Sequence, residues 1–592
     1  MIDLRNTNTI WASVLVGTLS RLGLRTAILC PGSRSTPLTV AFASHSNIES
    51  LAILDERSAA FFALGIAKKT GVPVVLVCTS GTASANFFPA IIEARESRIP
   101  LLILTADRPA ELRDCHSGQT IDQLKLYGNY VNWFAEVSPP ILELGQLKYL
   151  RQLIIQGWQR CLWPVAGPVH FNCPFRDPLP PLPQSEAANF SQEFPSDFLL
   201  SVHPITLPKI RPSLEILENW KLWQSCDKGL IIAGVDSVLE PDHYCQAIGQ
   251  LSQGLGWPVL AEGLSPVRNY FDFNSNLIST YDLLLRNQEI AENLKPEMVI
   301  QIGDLPTSKQ LREWLTEINP RRWIFTPGHD NLDPLHGQTI HLYCPVEEFI
   351  KSLEETPPNL PLLREGIANG ENQFQYLKLW LEFEGKVRDN LDQKMAEIEE
   401  IIEPKVAWIL SQSLPPETPL FIANSMPVRD VEFFWKPNHQ KIKPFFNRGA
   451  NGIDGTLSTA LGISHQSQNS VLLTGDLALL HDTNGFLFSS KLQGSLTIIL
   501  INNQGGGIFE MLPISQFNPP FEEFFATPQQ VNFATLCQTY GIEYESITTW
   551  SGLQEKLNRV PGQGIRVLEI LTDRKRDAQW RQENLPKFSQ IN

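Results

Sequence analysis

Val471-Leu472-Leu473-Thr474-Gly475-Asp476-Leu477-Ala478 and Leu496-Thr497-Ile498-Ile499-Leu500-Ile501-Asn502-Asn503-Gln504-Gly505-Gly506-Gly507 decide how this chain folds. Each begins as a short apolar run and ends in turn residues, so each reads as a buried strand closed at its carboxyl end. In a parallel sheet those ends open on one crevice. The Asp476 carboxylate and the Asn503 amide oxygen, 27 positions apart, then converge on one hard cation. Glycine at 505 to 507 lets the backbone come close enough for a main-chain carbonyl, that of Gly505, to join them. An oxygen-ligated Mg²⁺ that also holds two phosphates is the natural occupant. Singly, Gly-Asp and Asn-Asn are ordinary turn dipeptides; together at this spacing they are far more specific.

The same grammar of apolar run, Gly or Ser turn and amphipathic stretch recurs along the chain. The runs are residues 26–30, 51–54, 74–78, 101–104 and 169–172; then 230–233, 259–260, 298–302, 323–325 and 340–343; then 420–423, 471–473, 496–501 and 567–570. Alternating strands and helices predict an α/β protein with parallel sheets flanked by crossover helices. Five prolines between Pro174 and Pro183, followed by polar residues 184–192, read as a first linker that continues neither sheet nor helix. Glu354-Glu355-Thr356-Pro357-Pro358-Asn359-Leu360-Pro361 reads as a second, before a charged helical pattern near 378–400. Three domains are therefore expected, over 1–185, 195–355 and 370–592. Cys78-Thr79-Ser80-Gly81-Thr82-Ala83 and Leu473 to Ala478 share one pattern of strand, Gly turn and helix start, which suggests that the first and third domains are distant copies.

With 592 residues, 43% hydrophobic and 19% charged, the chain has the make-up of a soluble multidomain enzyme. Its 48 basic against 63 acidic residues leave a net charge of −15, which disfavours nucleic acid as a partner. The nine cysteines form no CxxC pair and lie mostly in or beside apolar runs, as reduced thiols of the cytoplasm do. No apolar stretch approaches the ~18 residues of a membrane span, and a signal peptide is not expected. Asn6 to Thr9 instead offers capping side chains for a helix in which Ile10, Trp11, Val14, Leu15, Leu19 and Leu22 form the apolar face. The Walker phosphate loop, the dinucleotide fingerprint, the G-x-S-x-G elbow and H-E-x-x-H are all missing. Nucleotide hydrolysis, hydride transfer and serine hydrolysis lose rank accordingly.

Gly475-Asp476 followed about two dozen residues later by Asn502-Asn503 resembles the signature of the thiamine diphosphate enzymes, with Leu477 where that signature usually has glycine. The resemblance implies a glutamate on a pyrimidine-binding domain, and Leu54-Asp55-Glu56-Arg57 supplies it at a strand end entering a helix. Glu56 would hydrogen-bond the aminopyrimidine and favour the tautomer whose nitrogen takes the thiazolium proton. Without that signature, Glu56 reads sooner as a carboxylate placed by a helix dipole.

Four arginines, Arg34, Arg108, Arg429 and Arg448, all follow predicted strands. Guanidinium forks at such an edge suit substrates bearing more than one carboxylate. Any one of them alone is more often a surface ion pair.

Cys30-Pro31-Gly32-Ser33-Arg34-Ser35-Thr36-Pro37-Leu38, Thr79 to Ala83, Thr105-Ala106-Asp107-Arg108-Pro109, Gly167-Pro168-Val169-His170 and Asn447-Arg448-Gly449-Ala450-Asn451-Gly452-Ile453-Asp454-Gly455 tighten the match. With Thr474 to Leu477 they look like the 2-succinyl-5-enolpyruvyl-6-hydroxy-3-cyclohexene-1-carboxylate synthases, which join 2-oxoglutarate to isochorismate in menaquinone or phylloquinone synthesis. That resemblance implies thiamine diphosphate with Mg²⁺, Mn²⁺ being an alternative, and a homo-oligomer of at least two subunits sharing each site. It places Arg429 and Arg448 on the distal carboxylate of the 2-oxoglutarate-derived adduct, and Ser33, Arg34, Arg108, Gln119 and Arg268 on isochorismate. Ser425 would contact the diphosphate, Ile453 would wedge the cofactor, and Ile508 and Phe509 would line the chamber. Gly475, Asp476, Asn503 and Gly505 would serve the cofactor and its metal. The catalytic set is then Glu56, Arg34, Gln119, Arg429 and Arg448. Gly118 and Val267 depart from residues that often precede the glutamine and the middle-domain arginine. His116 and His481 adjoin motifs but read as structural hydrogen-bonders and stay outside the set. Another carboligase, such as one like acetohydroxyacid synthase, is the alternative enzyme, and a non-catalytic regulatory subunit the alternative class.

Overall fold

Short apolar runs build three six-stranded sheets in the computed structural model, which describes residues 2–326, 328–355, 371–559 and 561–590. The first holds β1 (Thr26–Leu29), β2 (Glu49–Ala52), β3 (Val74–Cys78), β4 (Leu101–Asp107), β5 (Trp133–Glu136) and β6 (Val169–Pro174). The second holds β7 (Gly229–Ala233), β8 (Val259–Ala261), β9 (Leu277–Ile278), β10 (Met298–Ile302), β11 (Arg321–Phe325) and β12 (Thr339–Leu342). The third holds β13 (Pro419–Ile422), β14 (Lys443–Phe445), β15 (Ser470–Gly475), β16 (Ser495–Asn502), β17 (Glu543–Ile547) and β18 (Gly564–Leu571). Neighbouring strands pair in parallel throughout the three sheets. The central strands β3, β4 and β16 are buried along their whole length, as continuous apolar runs must be when helices cover both faces.

The sheet orders separate the domains by type. The first runs β2-β1-β3-β4-β6-β5 and the third β14-β13-β15-β16-β18-β17, the same permutation in each. The motifs at Thr79 and Thr474 both lie at or just after the end of the third strand of that permutation, which agrees with a common origin of the two. The middle sheet runs β12-β11-β10-β7-β8-β9, the doubly wound order, with β7 and β10 at its switch point. Just beyond it a backbone bridge joins Val235 and Asp304.

The chain divides into two compact units. The first comprises Met1–Pro208 with Asn447–Ser467 and Leu480–Gly494, and the second Lys209–Phe446 with Gln468–Leu479 and Ser495–Asn592. In the first unit, helix Thr7–Leu22 starts at a capping box between Asn6 and Thr9 and buries Ile10, Val14, Leu15 and Leu19 completely. Helix Glu56–Thr70 crosses helix Thr456–Ser464 at two glycines. A Cβ on Gly65 would stand 2.1 Å from the Thr459 carbonyl, and one on Gly462 2.1 Å from the Phe62 carbonyl. The linker expected over 184–192 is corrected: Ser185–Glu193 is a helix. Ala187 is fully buried and Phe190 packs on the core of the first sheet, so two apolar side chains at helical spacing outweigh the polar composition. The second expected boundary lies largely outside the described residues. In the second unit, the long helix Glu371–Glu397 supplies Glu384, whose carboxylate accepts from the N–H and hydroxyl of both Ser279 and Thr280. Eight of the nine cysteines are buried and none is paired. No helix among the described residues is long and apolar enough to cross a membrane.

Candidate active site

In the third sheet β13, β15 and β16 lie side by side, with Ile422 beside Leu473 and Gly475 beside Ile501. Their carboxyl ends present Ser425, Asp476 and Asn503 in a row. Asp476 is 3% exposed, and its Oδ2 accepts the Gly505 N–H at 2.9 Å. Burial pushes its carboxyl up to about 6, opposed by backbone N–H groups at Leu477 and Gly505. The two asparagines divide their work: Asn502 Nδ2 donates to Glu569 Oε1 at 2.6 Å, whereas the buried Asn503 Oδ1 has no hydrogen-bond partner. Gly505 sits at φ +139°, and a Cβ there would stand 2.4 Å from the Ala526 carbonyl, so the loop requires glycine. A buried carboxyl beside a partnerless buried amide oxygen is the donor set that a hard divalent cation completes. No group of three His, Cys, Asp or Glu gathers among the described residues, so such an ion would draw its other ligands from main-chain and phosphate oxygens.

Ser425 precedes helix Met426–Phe434 at φ +73°, ψ −129°, a strained conformation for a residue with a Cβ. Arg429, one turn on, holds the Ser425 carbonyl through Nη1 at 2.6 Å. The N–H groups that open this helix face the same edge, a setting that favours phosphate. Ile508 and Phe509 are half-buried on helix Gly507–Glu510, and the Phe509 ring meets Phe525 edge-on at 5.8 Å.

The first unit repeats the layout. The ends of β2, β1, β3 and β4, adjacent in that order, lead to Glu56, to Ser33 and Arg34, to Ser80, and to Arg108. Glu56 opens its helix just after the cap Asp55, whose Oδ1 accepts from the Ser58 N–H. Both neighbours of Glu56 are tethered: Asn484 donates to Asp55 Oδ2 at 2.7 Å, and Arg57 donates to the His481 carbonyl at 2.9 Å. Arg34 is 9% exposed and donates through Nη1 to the Phe175 carbonyl at 2.9 Å, while its buried Nε has no hydrogen-bond partner. Burial, then the nearby charge of Arg108, lowers the basicity of Arg34. Arg108 reaches Ser80 Oγ at 3.4 Å and the Gly118 carbonyl at 2.5 Å. Gln119 and Ser80 exchange two hydrogen bonds of 3.0 Å. Two arginines whose charges oppose one another, one with a partnerless buried donor and an exposed Asp177 3.8 Å from its Nη1, are chemically suited to an anion.

Three family models for thiamine pyrophosphate enzymes match the chain: the N-terminal TPP binding domain over residues 11–126, the middle domain over 210–422 and the C-terminal TPP binding domain over 435–570. A 2-succinyl-5-enolpyruvyl-6-hydroxy-3-cyclohexene-1-carboxylate synthase of Trichodesmium erythraeum is 59% identical over 99% of both chains. One of Nostoc sp. is 59% identical over 100% of this chain and 99% of its own. The chain belongs to this synthase family. A solved structure from Mycobacterium smegmatis, titled as a thiamin diphosphate-dependent enzyme, covers 95% of the synthase and 99% of its own chain with a TM-score of 0.67 at 16% identity, and it supports the fold.

Within the synthase, Ser425, Arg429, Asp476, Asn503, Gly505, Ile508 and Phe509 belong to the second unit, and Glu56, Ser33, Arg34, Arg108, Gln119, Arg448 and Ile453 to the first. Arg448 and Ile453 stand on the segment before helix Thr456–Ser464; beside Arg448, the N–H groups of Gly449 and Ala450 donate to the Glu93 carboxylate at 3.1 and 2.7 Å. Arg268 is the exception. It is wholly buried, donates to the carbonyls of Ala261 and Glu432 at 2.8 Å, and has Nη2 3.3 Å from Glu432 Oε2. Its Nη2 has no hydrogen-bond partner, while its other donors hold main-chain carbonyls. Ser80, Glu93 and the pair Asp55 and Asn484 escaped the reading of the sequence. Ser80 lies inside a quoted motif and was within reach; the others act through contacts remote in sequence.

Proposed function

We propose that this synthase decarboxylates 2-oxoglutarate and adds the resulting succinyl unit to the ring of isochorismate, in menaquinone or phylloquinone biosynthesis. Thiamine diphosphate, when bound, supplies a carbon nucleophile and an electron sink for the carbon dioxide-releasing step. Asp476, Asn503 and the Gly505 carbonyl would hold Mg²⁺, and Ser425 with the helix it opens would hold the diphosphate. The partnerless Asn503 Oδ1 supports this assignment. Glu56, fixed between two tethered neighbours, would hold a proton on the aminopyrimidine ring and so set which nitrogen can accept the thiazolium proton.

Arg429 and Arg448 would bind the distal carboxylate carried by 2-oxoglutarate, and Ser33, Arg34, Arg108 and Gln119 the carboxylates of isochorismate. The buried Nε of Arg34, which has no hydrogen-bond partner, carries the reading: it offers a donor to an incoming carboxylate beyond the exposed Asp177 that stands 3.8 Å from Nη1. Each site would form between two subunits.

The test is carbon dioxide release from 2-oxoglutarate with and without isochorismate, in thiamine diphosphate and Mg²⁺. Condensation dependent on both substrates is expected. Preferential release from pyruvate would assign the chain to another carboligase chemistry.

A further inference from the structure

Half of the loop from Arg108 to Tyr127, between β4 and the turn that precedes β5, is exposed, and between its buried ends Pro109 and Tyr127 only Gln123, 1% exposed, is also buried. All of its amide is used. Oε1 accepts the Gly81 N–H at 2.9 Å, and Nε2 donates to the Ala106 carbonyl at 3.2 Å and to Asn172 Oδ1 at 3.0 Å. Those partners stand at or just beyond the carboxyl ends of β3, β4 and β6, so one side chain pins the loop to three strands. Asn172 is itself fixed, accepting from Thr105 Oγ1 at 2.9 Å and donating to Asp107 Oδ2 at 2.8 Å. Four residues before Gln123, Gln119 adopts φ +58°, a conformation that a residue with a Cβ keeps only when its surroundings impose it. Gln119 meets Ser80, the neighbour of Gly81, which Gln123 holds.

We infer that Gln123 is a positioning residue for the acceptor substrate: it latches the loop to the sheet edge and thereby sets Gln119 against Ser80 and Arg108. The inference rests on the assignment of Gln119 and Arg108 to isochorismate. Nothing ties Gln123 to the donor side or to the metal.

Two near-isosteric variants of the full-length enzyme test it. Gln123→Met removes all three bonds, and Gln123→Glu sets a carboxylate oxygen against two acceptors. In both, the KM for isochorismate should rise by about tenfold or more, while the KM for 2-oxoglutarate and the deuterium exchange of the thiazolium proton stay within about twofold of wild type. Amide exchange of residues 109–126, followed by mass spectrometry, should quicken. A merely structural role would lower the folded fraction without separating the two KM values. Equal changes in both KM values, an unchanged isochorismate KM, or failure of both variants to fold would overturn the latch. If wild-type enzyme shows no isochorismate-dependent consumption of 2-oxoglutarate, the substrate assignment fails first and the inference falls with it.

Discussion

The Gly505 N–H donates to Asp476 Oδ2 at 2.9 Å, so the glycine loop after β16 and the carboxylate after β15 fix one another's place. Asp476→Ala removes this bond and one hard oxygen ligand together. Its affinity for thiamine diphosphate in Mg²⁺ should fall by at least about tenfold, and the rise in melting temperature that the two give wild-type enzyme should largely vanish. Undiminished affinity by calorimetry would remove Asp476 from the metal site.

Glu56→Gln keeps the size of the side chain and the helix start, but an amide cannot share the proton that sets the aminopyrimidine tautomer. Cofactor binding should remain near wild type, and exchange of the thiazolium proton in deuterated solvent should slow by about a hundredfold or more. Proton NMR of acid-quenched samples reads this directly. Wild-type exchange in the variant would exclude Glu56 from activation.

Which strands were legible follows from where they lie. Every strand with two neighbours announced itself by an apolar run, because both its faces are covered. The four that went unread, β5, β9, β14 and β17, are all sheet edges. Trp133–Glu136 and Lys443–Phe445 are only half-buried, Leu277–Ile278 is two residues long, and Glu543–Ile547 alternates with charge, so none carries the run that marks a buried strand. The site divides the same way. Asp476, Asn503 and the arginines stand in motifs at strand ends, where local sequence places them. Arg268, by contrast, lies against Glu432, far along the chain, and no local pattern could show that contact.

Arg268 supplies a stability prediction. Arg268→Ala leaves the buried carbonyls of Ala261 and Glu432 without their donor, and should cost about 1 to 3 kcal/mol in urea unfolding at pH 7. Any folded fraction should keep the wild-type KM for isochorismate. A raised KM at wild-type stability would return Arg268 to the substrate.

Burial pushes the Glu432 carboxyl up to about 8, against the pull of Arg268 and with the push of Glu262. A carboxyl with a raised native pKa holds its proton in the fold after the unfolded chain has released it. Its contribution is therefore complete below the ordinary carboxylate range and is lost as pH rises from there through about 8. Glu432→Gln, an uncharged mimic of the protonated acid, should flatten the decline of the urea midpoint between pH 6 and 9 relative to wild type. A variant that loses stability in parallel with wild type over that range would show that Glu432 does not carry the proton.

The proposed sharing of sites between subunits gives the sharpest prediction. If Glu56 serves from one chain and Asp476 from its partner, the Glu56→Gln and Asp476→Ala enzymes are each inactive alone. Random reassembly of equal amounts makes half of the dimers mixed, and in each mixed dimer one site receives both intact groups while the other receives neither. Activity should therefore recover to about one quarter of wild type per chain. Were both groups to act within one chain, no mixture could recover anything. Mixed dimers isolated with two different affinity tags, shown to contain both chains and still inactive, would end the shared-site model while leaving the metal and proton roles of Asp476 and Glu56 to their own tests.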